Sequence, residues 1–326
     1  MDKNLLNLKS DLKDKKQMVL FLGAGVNFDS KVKLLWKDVL SEFLDNSLPL
    51  LNMPPDDIAY IRKALDTLNN EDLDIQKQGT AEFTTEAKIA VVKQLLGKAY
   101  VPLLKNIIYK KCNKYELARA CDEYITRGVD EKTPFYTLFA IAEFILTHNN
   151  IKAVVTYNYD NFLTVAIRLL LENKRYFKQE IREDLKPIDV YSGWGNEPFT
   201  NSSFLIYHIH GYIPSPGELI PNKRNTIVMS LDEFYNSAKE VYSWQTATQI
   251  HFLSHYSCLL LGMSLSDMTM QRMIYNANIN YNCEKVYYVM QNGNPLLELK
   301  SRYHSKNHLS VIKVNKFIDF YKEILK

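Results

Sequence analysis

The sequence predicts an α/β protein, a Rossmann-like, doubly wound and mostly parallel sheet that carries a helical insertion. Three observations point there. Short apolar runs rich in β-branched and aromatic residues recur along the chain without the polar alternation of a half-exposed sheet. Stretches with helical periodicity separate them. Four of the runs end in Gly, Asn, His or Ser, the residue types that an open parallel sheet presents to ligands at the carboxyl ends of its strands.

Taken in order, the strand candidates are Met18–Leu22, Ala153–Tyr157, Phe204–Ile209, Thr226–Met229, Ser257–Leu261, Lys285–Met290 and Ser310–Val314. The long interval after the first has another character. Asp56, following Pro54-Pro55, can cap a helix that sets Ile58, Ile61, Leu65 and Leu68 on one face. Further amphipathic stretches follow at Ala81–Leu96, Tyr115–Ile125 and Pro134–Leu146. The expectation is one domain over residues 1–326, with residues 45–150 as a helical insertion at one edge of the sheet. Asp232–Tyr256 reads as another helical stretch. Pro187–Ser203, with its glycines and prolines, reads as a loop.

The 326 residues, 46% of them hydrophobic, support a sizeable core. A net charge of +3 without a dense Lys/Arg stripe gives no argument for nucleic acid. Lys13, Lys15 and Lys16 read as a solvated face before the first strand. The apolar run behind them is too short for a signal peptide or a membrane span. The four cysteines form no C-x-x-C pair, which argues against the usual structural zinc site and for a reducing compartment. The expected location is therefore the cytoplasm, with no metal and no membrane partner. Cys258 opens an apolar run and reads as core.

Gly23-Ala24-Gly25 follows the first run in a chain with only 11 glycines. That pattern lets a strand deliver backbone N–H groups to a phosphate. The third glycine of the dinucleotide fingerprint is missing, since Phe28 stands there. Asn27 suits a phosphate, a ribose or a helix cap. Thr156-Tyr157-Asn158-Tyr159-Asp160 ends the second run: Asn158 can hold a water or a sugar hydroxyl, and Asp160 is also a natural helix N-cap. His208-Ile209-His210-Gly211 ends the third, with both histidines on one face and His210 nearer the ligand edge. An imidazole there suits general-base work at neutral pH. His208 reads as a supporting residue. Gly262-Met263-Ser264 supplies a further strand-end glycine and a hydroxyl.

In this order these segments resemble the sirtuin family. Gly23-Ala24-Gly25 is similar to its G-A-G-x-S loop, with Asn27 in place of serine. Thr156–Asp160 resembles T-Q-N-x-D, with Tyr157 in place of glutamine. His210-Gly211 resembles the catalytic H-G, and Gly262-Met263-Ser264-Leu265 the segment beneath the adenosine ribose. The lack of C-x-x-C pairs departs from the zinc-bearing protein deacylases. The pattern is closer to the sirtuin-like effectors of bacterial anti-phage defence, which resemble NAD hydrolases.

The resemblance implies NAD as substrate and Asn158 and His210 as the catalytic pair. Gly23, Ala24, Gly25, Asn27, Thr156, Tyr157, Asp160, Gly262 and Ser264 would line the dinucleotide. It also implies control of a toxic activity through a homo-oligomer or a separate activating partner such as an ATPase, a nuclease or an Argonaute-like protein. The alternatives are an NAD-dependent protein deacylase or ADP-ribosyltransferase, and a non-catalytic NAD or ADP-ribose sensor.

Overall fold

Five uninterrupted apolar residues, Met18–Leu22, form β1, buried along its whole length. It lies inside a seven-stranded sheet with β2 (Ile151–Thr156), β3 (Lys186–Val190), β4 (Ser203–His208), β5 (Ser257–Leu261), β6 (Val286–Gln291) and β7 (Leu309–Val314). The strand order is β3-β4-β2-β1-β5-β6-β7, and every neighbouring pair is parallel. The computed structural model describes residues 2–27, 35–51, 53–67, 85–177, 180–191, 202–218, 226–230, 232–233, 243–265, 268–281, 285–293, 295–306 and 309–325.

Successive residues of a strand face opposite sides. Met18, Leu20 and Leu22 enter one core, while Val19 and Phe21 enter the other. In β5, Leu259 and Leu261 join the first core and Cys258 and Leu260 the second. Both faces are covered, as continuous apolar strands require.

The first core lies under α1 (Lys3–Lys13) and the helices that connect β1 to β2. These are α2 (Trp36–Ser47), α3 (Pro55–Thr67), α4 (Thr85–Leu96), α5 (Tyr100–Lys111), α6 (Lys114–Arg127) and α7 (Tyr136–Thr147). Nine of the twelve residues of α7 are buried, so this helix lies in the interior, with little outward face. It packs on α8 (Phe162–Glu172) and on α12 (Phe317–Ile324). The start of α6 is fixed locally. Asn113 accepts from the N–H groups of Tyr115 and Glu116, and Glu116 accepts from Asn113 N–H at 2.8 Å. Its end falls at Gly128, whose φ is +69°. The second core lies under α9 (Trp244–His255) and α10 (Met268–Tyr281), while α11 (Pro295–Lys306) joins β6 to β7.

The structure corrects several expectations. Residues 226–229 are not a strand: Val228 N–H donates to His210 O at 2.8 Å, and Tyr159 Oη donates to Val228 O at 2.6 Å. The stretch from Pro187, read as a loop, contains most of β3. Pro187 is tolerated because β3 is the sheet's edge. Asp56 lies within the first turn of α3, behind Pro55, rather than before it. Leu65, Leu68 and residues 81–84 and 234–242 lie outside the described side chains or residues. Lys13, Lys15 and Lys16 are exposed, and Lys16 also lies 3.2 Å from the carboxylate of Asp11. Among the described residues, no helix is long and apolar enough to cross a membrane.

Candidate functional site

The loops that follow β4, β2, β1 and β5 lie side by side, because these four strands are neighbours in that order. Neighbouring strands are ~4.8 Å apart, so the four loops span roughly 14 Å of one edge. The chain leaves β1 toward β2 and leaves β5 toward β6 on the other side. The switch point of the sheet, where open α/β folds bind ligands, therefore falls between β1 and β5.

At that point three glycines pack on one another. Gly23 N–H donates to Leu261 O at 3.0 Å, and Gly25 N–H to Gly262 O at 2.9 Å. A Cβ on Gly23 or Gly25 would sit 2.6 or 2.7 Å from Gly262 O. A Cβ on Gly262 would sit 2.4 Å from Val26 N, and Gly262 has φ +63°. The glycines are thus needed for backbone-to-backbone approach between two loops. The Gly23 and Gly25 N–H groups, expected to face a phosphate, are here engaged by the β5 end. A short 3-10 turn, Ala24–Asn27, follows.

On the other side of β1, Asn158 joins the group. Its Nδ2 donates to Gly23 O at 3.4 Å, and its backbone N–H donates to Thr156 Oγ1 at 3.1 Å. Asn27 Nδ2 donates to Asp160 Oδ2 at 3.4 Å, while Asp160 Oδ1 accepts from Phe162 N–H at 3.1 Å. The N-cap of α8 is Asn161 rather than Asp160, which stands one residue earlier, accepts from the first helical N–H and also faces the loop after β1. Burial pushes its carboxyl up to about 6, with the nearby His208 charge acting in the opposite sense.

Thr156 pairs in register with His208, so the segments leading to Asn158 and His210 emerge together. Tyr157 lies between the two sites of interest. Its Oη donates to Gln249 of α9, and its ring meets that of His210 edge-on at 5.0 Å. His210 is partly exposed, and its carbonyl accepts from Val228. Gly211 has φ +91°, which turns the chain sharply after it. Ser264 is exposed at the rim, two residues beyond Gly262.

Beneath the Asn158 loop is a small cavity lined by apolar side chains, among them Leu22, Leu138 and Ile206, and by polar ones, among them Asn158, Asp189 and His208. It has room for on the order of one water molecule, far too little for a nucleotide.

The structure thus brings Gly23, Gly25, Asn158 and Gly262 together, Asn27 to Asp160, and Tyr157 to His210. Sequence reasoning missed Asp189, which lies near the end of β3, 2.8 Å from His208 Nε2. It also missed Gln249. A Lys-Pro-Ile-Asp-Val run compatible with an edge strand was the only signal for Asp189. Among the described residues, no group of three or more His, Cys, Asp or Glu side chains could hold a metal ion.

No curated protein matches the chain. Residues 152–312 match the family model of the SIR2-like domain, a family whose members use NAD. The match runs from β2 into β7 and takes in Asn158, His210 and Gly262. The glycine loop after β1 precedes it. An all-parallel sheet, ligand-edge loops and this match agree: residues 152–312 are similar to the SIR2-like domain.

Proposed function

We propose that the protein hydrolyses NAD at the bond between nicotinamide and ribose, releasing nicotinamide and ADP-ribose. The observation that carries this reading is the clustering of Asn158, Gly23 and the His210–Tyr157 pair on neighbouring loops of a SIR2-like domain.

The chemistry asks little of the protein. As the ribose C1′–N bond breaks, both electrons go to the pyridinium nitrogen, and nicotinamide leaves neutral. No general acid is needed. Positive charge develops on the sugar, as in glycoside cleavage. A water adds to C1′ and loses one proton. His210 takes that proton, directly or through a ribose hydroxyl, a contribution of about 10²–10⁴-fold. Asn158 orients the water or the sugar hydroxyls without adding charge. Asp160 accepts a hydrogen bond from the sugar side, and Ser264 faces the adenosine end. Ala24, Thr156 and Tyr157 shape the floor of the loops.

The resemblance to anti-phage effectors extends the reading to depletion of cellular NAD on infection, held in check by an oligomer or an activating protein. Cleavage in ¹⁸O-water tests the chemistry. The reading expects one ¹⁸O per ADP-ribose and one nicotinamide per ADP-ribose. Transfer of ADP-ribose to a protein, or of acyl groups to it, would contradict hydrolysis.

A further inference from the structure

Behind Asn158 stands a histidine–carboxylate pair that the reaction as written does not use. His208 is only 1% exposed. Its Nε2 lies 2.8 Å from Asp189 Oδ1, and its Nδ1 lies 3.0 Å from the backbone oxygen of Asn158. Thr164 Oγ1 donates to the same Asp189 oxygen at 2.7 Å. The Tyr212 ring covers the imidazole at 4.8 Å between centroids.

Both ring nitrogens therefore face groups whose usual role is to accept. A backbone carbonyl cannot donate, and neither can a carboxylate. A neutral imidazole has one N–H, which serves one of these bonds. Making both takes a proton on each nitrogen, and Asp189 supplies the balancing charge. Such a pair is stable in a buried place only when its remaining valences are satisfied, and Thr164 helps to satisfy the carboxylate. Asp160, on the loop before α8, is the other carboxylate whose charge acts on this ring.

The geometry points to Asp189 and His208 as positioning residues, a buried carboxylate–imidazolium pair that grips the Asn158 backbone and so aims its carboxamide at the edge beside Gly23. The link is short. His208 holds the carbonyl of Asn158, Thr156 holds its N–H, and Gly23 receives its side chain. This inference rests on the reading of Asn158 as the residue that orients the sugar or its water. A loosened carboxamide should slow the chemical step more than it weakens binding, since misplacement by about 1 Å can cost about 10²-fold.

The test has two arms. The first needs no substrate: proton NMR of the free protein, with His208 assigned through a His208→Gln variant. Two slowly exchanging ring N–H signals are expected from His208, with both weakened or lost in Asp189→Ala. The second arm is NAD turnover. Asp189→Ala should lower kcat by about ten- to a hundredfold and leave KM within about threefold. Asp189→Asn should recover most of kcat, because an amide can donate to a neutral Nε2 while Nδ1–H still holds Asn158. A side chain that served folding alone would give no such split and no such rescue.

A single His208 ring proton in the wild type overturns the pair. So does a folded Asp189→Ala variant that turns over NAD at the wild-type rate. If Asp189→Ala does not fold, Asp189→Asn and the ring signals of the wild type decide. A wild type without NAD cleavage would refute the proposed function, whereas the ring protons would still support the pair if two are seen and overturn it if one is.

Discussion

Gly25 donates its N–H to the carbonyl of Gly262 across 2.9 Å, and this bond ties the loop after the first strand to the loop after the fifth. The two loops leave the sheet in opposite directions, so the contact closes the floor of its switch point. Backbone meets backbone there, and no side chain fits between.

Gly262→Ala should therefore be costly. It places a left-handed conformation on an L residue and a Cβ 2.4 Å from Val26 N. The expected loss is about 1–3 kcal/mol, read as a lower midpoint in urea denaturation. Gly25→Ala, without the positive φ, should lose less. A midpoint unchanged in Gly262→Ala would mean that the loops pack otherwise.

Asp160 predicts a pH dependence. Burial raises its carboxyl in the folded protein to about 6, from an ordinary 3.8. The folded state thus holds this proton more tightly than the unfolded chain. Its contribution to stability is full below about pH 4 and is lost as pH rises through about 6. Asp160→Asn removes that dependence. The stability of Asp160→Asn relative to wild type should rise between pH 4 and 7, by at most about 3 kcal/mol. A difference that stays flat or falls over that range would contradict the assignment.

Glu233 links a helix of the β1–β2 crossover to the segment beside His210. Its carboxylate accepts from Met229 N–H, Ser230 N–H and Ser230 Oγ, and it pairs with Lys93 of α4. Val228, one residue earlier, donates to His210 O. Glu233→Ala removes the carboxylate that accepts from these three donors and should destabilise by about 2–4 kcal/mol. Lys93→Met removes one partner and should cost about 1 kcal/mol or less. Thermal melts of the two variants check the order; a Lys93→Met loss equal to that of Glu233→Ala would show that the ion pair dominates.

The central strands were legible because β1 is apolar along its whole length and β5 after Ser257, and their bounds agree with the sequence reading residue for residue. The same signal misled at residues 226–229. That segment is apolar too, yet its backbone bonds go to His210 and Tyr159 rather than to a strand, a tertiary fact that no local pattern carries. β3 was hidden for the opposite reason. Pro187 and Asp189 look like loop residues, and only an edge position admits them. The strand-end positions of Asn158 and His210 could be read from their motifs. The atoms that Gly23 and Gly25 approach could not, because their partner lies at the far loop of Gly262. Asp189 stayed out of view with its strand, and with it the grip on His208.

The central claim is that the carboxamide after β2 and the imidazole after β4 cleave NAD. The most direct measurement is the initial rate of nicotinamide release from NAD by the wild type, His210→Ala and Asn158→Ala, with each variant shown to be folded. The account predicts release by the wild type, a fall of about 10²-fold or more in His210→Ala, and a comparable fall in Asn158→Ala. A His210→Ala protein that releases nicotinamide as fast as the wild type would contradict it, as would a wild type that binds NAD saturably and never cleaves it.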